Sequence, residues 1–197
     1  PNILGFDVKL DYPAYTQRKD EDLSNIGDLV LPIGTNIDWV FNAQHTDNIN
    51  ILFSSKGESE AITRFSDQSF THKKKALKDE GYKLFISNEL LPNADSISYR
   101  ITVIPDQYPT INAEKFVDSL NEKLHFFVGD AADDYGLRGL SFNYRINKES
   151  GKQGKLVTVQ LKKPTAKQAQ YSYTWDINDL ELTPGDEVSY YFEVFDN

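Results

Sequence analysis

The sequence predicts an all-β protein built as two tandem β-sandwich domains of the immunoglobulin or fibronectin type III kind. Three observations predict it. Apolar and polar residues alternate along most of the chain, and turn residues interrupt the alternation at roughly the 8 to 12 residue spacing of sandwich strands. A short strand-like pattern also occurs twice, near the middle and again at the end.

Taken in order, Ile37, Trp39 and Phe41 fall on one face of a strand while Asp38 and Asn42 fall on the other. Tyr82, Leu84 and Ile86 repeat the pattern, and Ile97, Tyr99, Ile101 and Val103 alternate with Ser98, Arg100 and Thr102. Further on, Leu140, Phe142, Tyr144 and Ile146 form a run, then Val157, Val159 and Leu161. Tyr171, Tyr173, Trp175 and Ile177 follow, and Val188, Tyr190, Phe192 and Val194 close the series. Period-2 runs of this kind read as strands with one buried face. Pro32-Ile33-Gly34, Lys56-Gly57, Pro92-Asn93, Gly151 to Gly154 and Pro184-Gly185 supply the turns between them. One segment, Ala113 to Leu124, fits a helix as well as a strand, because Phe116, Leu120 and Leu124 lie four apart among strong helix formers.

The repeated pattern places the domain boundary. Ser98-Tyr99-Arg100-Ile101-Thr102-Val103-Ile104-Pro105-Asp106 matches Ser189-Tyr190-Tyr191-Phe192-Glu193-Val194-Phe195-Asp196 in its Ser-Tyr start, alternating apolar positions and closing Asp. Each reads as the last strand of a unit. Pro105 and Pro109 bracket a segment that cannot pair on either side, giving domains at 1–106 and 110–197. Trp39 and Trp175 are then the expected core tryptophans, one to each sandwich.

Composition removes several function classes. The 197 residues carry 21 Lys+Arg against 30 Asp+Glu, for a net charge of −9, and no cysteine. Disulfides, thiolate nucleophiles and Cys-ligated metal centres are therefore ruled out. The acidic balance argues against nucleic acid as a partner, since binding to phosphates depends on Lys and Arg. The one basic run, Lys73 to Lys75 after His72, reads as a solvated edge that discourages sheet-to-sheet aggregation. Apolar runs stop far short of the ~20 residues that span a bilayer. The chain lacks methionine and opens on Pro1, so it reads as a piece of a longer protein, with membrane contact expected only through segments outside it.

Particular residues carry a family resemblance. Tyr12-Pro13-Ala14-Tyr15-Thr16, Arg18-Lys19-Asp20-Glu21 and Gly27-Asp28-Leu29-Val30-Leu31-Pro32-Ile33-Gly34-Thr35 resemble the extracytoplasmic region of large Bacteroidota proteins of domain-of-unknown-function family 4175. So do Leu91 to Ser96, Ile104 to Pro109, Gly129 to Leu137 and Pro184 to Val188. Gln17 departs from the pattern, which expects glycine after Tyr15-Thr16, and a glycine-containing turn would normally follow Asp196-Asn197. The resemblance implies an immunoglobulin-like, periplasmic portion of a membrane-anchored parent, and it implies no activity.

The candidate sites are few. Asp130, Asp133 and Asp134 form a tight carboxylate cluster and are the candidate Ca²⁺ ligands, with Asp106 and Asp196 as additions. The spacing lacks the alternating acids of an EF-hand loop, and Asp and Gly also favour plain turns. No other cofactor is expected. His45, His72 and His125 are too scattered for a zinc site. Ser141 lacks the second glycine of a nucleophile elbow and lies in a strand pattern. Tyr12, Tyr15, Tyr108, Tyr135 and Tyr191 fall in turns or on polar phases, where exposed rings would stack on sugars.

The sequence thus points to a non-enzymatic spacer and protein-interaction module, whose partner is another protein or a second copy of itself, met by strand addition or apolar burial. The alternative is a carbohydrate- or peptidoglycan-binding sandwich using the tyrosines above.

Overall fold

The computed structural model describes residues 1–92, 94–162 and 165–196, so Asn93 of the Pro92-Asn93 turn and the terminal Asn197 lie outside the described residues. The chain divides into two compact units, Pro1–Asp106 and Gln107–Asn197.

Among the described residues of the first unit, ten strands form two sheets. They are β1 (Asn2–Asp11), β2 (Glu21–Ser24), β3 (Leu29–Pro32), β4 (Asn36–Gln44), β5 (Asn48–Phe53), β6 (Glu60–Ala61), β7 (Thr63–Arg64), β8 (Ser69–Lys75), β9 (Glu80–Ser87) and β10 (Asp95–Ile104). One sheet runs β2-β1-β4-β8-β7 and the other β3-β10-β9-β5-β6. This is the strand order of an immunoglobulin sandwich: β1, β4 and β8 on one side, and β5, β9 and β10 on the other. The short β3 pairs in parallel with β10, Leu29 lying opposite Ile101. The turn into β4 depends on Gly34, whose φ of +90° suits glycine, and Thr35 N–H donates to the Pro32 carbonyl at 3.3 Å across it.

The alternation in the sequence puts the core between these sheets. Val8, Leu10, Ile37, Trp39, Phe41 and Phe70 face Leu31, Ile49, Ile51, Phe53, Leu84 and Ile101, all of them buried. Burying each such aromatic or aliphatic side chain contributes about 2 kcal/mol. Trp39 sits on β4 and packs against Phe53 at 6.3 Å and Tyr82 at 5.5 Å between ring centres. Lys74 corrects the reading of Lys73 to Lys75 as a solvated run. Its side chain points inward, ion-pairs with the buried Glu80 at 3.1 Å and lies 4.0 Å from the Phe53 ring centre, while Lys73 stays outside on Asp38. Glu80 also accepts from the Ser55 hydroxyl at 2.6 Å, so the buried carboxylate is fully engaged.

The described residues of the second unit form seven strands: β11 (Thr110–Ile111), β12 (Glu114–Val117), β13 (Leu124–Ala132), β14 (Leu137–Asn147), β15 (Val157–Gln160), β16 (Gln168–Asp176) and β17 (Glu187–Asp196). β13 is flanked by β11 and β12 on one edge and β16 on the other, and the facing sheet runs β15-β14-β17. Its core is aromatic. Phe142 lies 4.7 Å from Tyr173, 4.8 Å from Trp175 and 5.0 Å from Phe192 between ring centres.

Two elements are settled by the strand pairing. Ala113 to Leu124 is not a helix: Phe116 and Val117 pair with Phe126 and His125 of β13, and Asp118 ends the strand by accepting the Leu120 and Asn121 amides at 2.7 and 2.9 Å. Such an Asp turn competes directly with helix formation. β10 and β17, alike in sequence, are each the last described strand of their unit, and they differ in pairing. β17 pairs with β14 as β9 pairs with β5, Phe142 lying opposite Phe192 and Ile51 opposite Leu84.

Candidate interaction site

At one end of the first unit, two loops are bonded into a single platform. The β4–β5 connection turns through His45, whose φ of +51° is left-handed, and the β9–β10 connection carries Asn88, Glu89, Leu90 and Leu91. Asn88 Nδ2 donates to the His45 carbonyl at 2.9 Å, the Glu89 amide donates to Asp47 Oδ2 at 3.0 Å, and the Asp47 amide donates to the Ser87 carbonyl at 3.0 Å. Within the tip, the Leu91 amide donates to Asn88 Oδ1 at 2.8 Å, and the Asn88 amide to the Leu91 carbonyl at 3.1 Å. Polar groups bond inward, so the two leucines are left outside: Leu90 is 88% and Leu91 54% exposed. A concavity of about 200 Å³, lined by His45, Asp47, Asn88, Glu89 and Leu90, lies beside them.

This platform was not found from the sequence, because alternation ends where the loops begin. The Leu90-Leu91 pair beside Pro92 was the available signal: two adjacent large apolar residues in a turn have no core face to fill.

A broad open groove of about 740 Å³ runs over the outer face of β1, β4 and β8. Several of its polar side chains bond to one another or to their neighbours. Lys73 pairs with Asp38 at 2.8 Å, Thr71 donates to Asp38 at 3.0 Å, and Asn36 donates to Asp11 at 3.0 Å.

The sequence-proposed tyrosines do not form one surface. Tyr12 is buried, donates to Glu21 at 3.0 Å and carries the Arg18 guanidinium 4.0 Å over its ring; burial, with Glu21 next, pushes its pKa up. Both ring face and hydroxyl are taken, which corrects its place among the exposed stacking residues. Tyr15 is half-buried and donates to the Ile33 carbonyl at 2.7 Å. In the second unit, Tyr108 is 92% exposed at the rim of a concavity of about 270 Å³ that it shares with Thr110, Asp133, Asp134, Lys167 and Gln168. Tyr135 is half-buried, with the Lys167 ammonium 5.4 Å from its ring centre, and Tyr191 lies exposed on the outer face of β17.

Among the described residues, no three acidic or imidazole groups stand close enough to hold a metal ion, so Asp130, Asp133 and Asp134 are not assembled as one ligand set. The spacing explains the difference. Asp130 still belongs to β13, its amide donating to Asn112 Oδ1 at 2.9 Å, whereas Asp133 folds back to accept the Tyr135 and Gly136 amides at 2.9 and 2.7 Å. Lys167 places its ammonium on the Asp134 carbonyl.

The histidines lie in separate settings. His45 is exposed, His72 stacks on Phe53 at 5.7 Å between ring centres, and His125 packs edge-on against Trp175 at 6.1 Å. Burial is the main cause lowering the pKa of both His72 and His125. Ser141 is fully buried in β14 and accepts from Asn143 Nδ2 at 3.1 Å.

No family model matches the chain, and no curated protein matches it. Among solved structures, a crystal structure of chicken TCR aligns over 77% of this chain and 88% of that chain, at 9% identity and a TM-score of 0.32. The sandwich assignment rests on the strand pairing given above.

Proposed function

We propose that the chain is a non-enzymatic protein-interaction module whose first unit presents Leu90 and Leu91 to an apolar pocket on a partner protein. The observation that carries this reading is the pair of exposed leucines on a tip cross-bonded to its neighbouring loop. Ordering a loop on binding costs affinity, and here the hydrogen bonds of Asn88 and Glu89 have ordered it beforehand. Asp47 and Glu89 flank the leucines, which disfavours insertion into an anionic bilayer surface and favours a partner whose pocket has a basic or neutral rim. An extracytoplasmic place, in a membrane-anchored parent, is part of the same proposal, supported by the resemblance of Tyr12 to Thr16 and Gly27 to Thr35 described above.

The test compares the chain with its Leu90→Asp/Leu91→Asp variant, both immobilised and exposed to detergent-solubilised envelope protein and to vesicles of anionic lipid. The proposal expects a defined protein retained by the first and lost with the second, at equal melting temperatures. Retention that is unchanged in the variant, or vesicle binding in place of protein, contradicts it.

A second reading has one observation of its own. Tyr108 stands at the rim of a polar concavity, the pattern of a ring-stacking sugar subsite. It expects oligosaccharide-dependent quenching of tyrosine fluorescence that Tyr108→Ala removes; absence of quenching across a glycan panel rejects it.

A further inference from the structure

The end of the first unit that carries the leucine tip carries a second apolar tip. It is the β7–β8 turn, where Phe65 is 79% exposed. Ile62 and Phe70 fill the core side of this hairpin, and the Arg64 guanidinium lies 5.7 Å from the Phe70 ring centre. Phe65, out at the turn, has no core face to fill.

Hydrogen bonds close the turn beneath the ring. The Phe65 and Ser66 amides donate to the Ser69 carbonyl at 2.8 and 3.1 Å. Arg64 folds back over the turn, donating through Nε to the Ser66 carbonyl at 3.2 Å and through Nη2 to the Asp67 carbonyl at 2.9 Å. Like the leucine tip, this turn is ordered before any partner arrives.

Both tips are fastened to the same stretch of chain. The Ala43 amide of β4 donates to the Gln68 carbonyl at 2.8 Å, and the Ser69 hydroxyl donates to Asn42 Oδ1 at 3.1 Å. Two residues beyond Ala43, the His45 carbonyl accepts from Asn88 of the leucine tip at 2.9 Å. The β4–β5 connection is therefore bonded to both tips and stands between them. β7 and β8 belong to one sheet and β9 and β10 to the other, and stacked sheets lie about 10 Å apart.

The size of a specific interface gives this arrangement its meaning. Such an interface buries about 800 Å² on each partner, more than two leucine side chains supply, and a few large anchors carry most of its energy. Charge indicates what meets them. Asp47, Asp67 and Glu89 are exposed on the three connections, whereas the Arg64 guanidinium is turned back onto carbonyls. A second copy docked end to end about a two-fold axis would set these carboxylates against themselves, so a partner of opposite charge fits better.

We propose that Phe65 is a second anchor for the partner that takes Leu90 and Leu91. That partner is a folded protein with two apolar pockets on the order of 10–15 Å apart and basic groups around them, in place of a short peptide or a single pocket. The inference rests on the leucine-tip reading and extends it from one contact to two.

The test uses the whole chain with a photo-crosslinking amino acid placed at Phe65, at Leu90 or at Leu77, which is 60% exposed on the β8–β9 connection at the opposite end. Each is illuminated with detergent-solubilised envelope protein. Positions 65 and 90 are expected to label the same protein at two different segments of it, and position 77 to label none. Phe65→Asp, with both leucines intact, is expected to lower retention of that protein about tenfold or more at an unchanged urea midpoint. Should its midpoint fall, Phe65→Ala, which only truncates an exposed ring, is read in its place. A protein labelled from position 90 with nothing, a different protein or another part of the same parent chain labelled from position 65 overturns the second anchor and leaves the leucine reading standing. Retention unchanged in the Phe65 variants does the same. No label from position 90 overturns both.

Discussion

Asn88 holds His45 through a 2.9 Å hydrogen bond from its side-chain amide to the His45 carbonyl, and this contact fixes the leucine tip to the neighbouring loop. The same side chain accepts from the Leu91 amide at 2.8 Å. Asn88→Ala removes both, each worth about 1 kcal/mol. The expected result is faster amide exchange at Leu90 and Leu91, partner affinity lower by about tenfold, and a melting temperature lower by several degrees. Exchange measured by mass spectrometry checks the first, and titration calorimetry against the captured partner the second.

Gly27 is the tightest approach in the first unit. A Cβ there would sit 2.2 Å from the Tyr99 ring, and the Gly27 carbonyl accepts from the Tyr82 hydroxyl at 2.7 Å. Gly27→Ala is expected to cost about 1–3 kcal/mol by overpacking. Tyr82→Phe is expected to cost about 1 kcal/mol through the lost hydrogen bond alone. Urea unfolding of both variants checks the ranking.

Lys74 and Glu80 form an ion pair whose carboxylate side chain is only 3% exposed. Lys74→Met keeps the apolar stem over Phe53 but leaves a buried carboxylate supported by Ser55 alone, a loss of about 3 kcal/mol or more. Lys74→Met/Glu80→Gln is expected to recover much of it, because neither half then carries an unpaired charge. A double-mutant cycle in urea measures the coupling.

Gln17 adopts a left-handed φ of +54°. Its place in the sequence is the one where glycine was expected, and the backbone supplies the reason, since a side chain in that conformation is strained. Gln17→Gly is expected to raise stability by about 1 kcal/mol, read from the urea midpoint.

His72 and His125 give the chain an acid-sensitive fold. Burial lowers both pKa values; for His72 Glu60 opposes the effect while Lys74 and Lys56 add to it, and for His125 Lys115 adds to it. A folded-state pKa below the unfolded one means that the unfolded chain takes up protons first. The stabilisation is complete above the ordinary histidine value of about 6.5 and is lost as pH falls through the folded values. The melting temperature is therefore expected to drop between about pH 7 and about pH 5, less steeply in His72→Phe, which keeps a ring against Phe53 and Trp39 but cannot titrate.

Strand alternation was legible wherever one face is buried, as in Ile37, Trp39 and Phe41 or Tyr171 and Trp175. It left the choice open where spacing competed with it. Phe116, Leu120 and Leu124 keep a helical interval, but Asp118 captures the amides that a helix would need and leaves Leu120 97% exposed. Tyr12 shows the opposite limit, since its burial depends on Glu21 and Arg18 folding over it. The resemblance of β17 to β10 marked the last described strand of each unit but not its partner, because which neighbour a strand takes is decided by the rest of the sheet. The leucine platform required two loops more than forty residues apart to meet, which no local signal reports.

The most direct measurement places a photo-crosslinking amino acid at Leu90, and separately at Tyr108 and Leu120, which are at least as exposed but lie outside the leucine platform. Illumination of intact envelopes is expected to give one defined protein adduct from position 90 and none from the other two. Equal adducts from all three positions, or only lipid at position 90, would contradict the reading of this chain as a protein-interaction module built around its leucine tip.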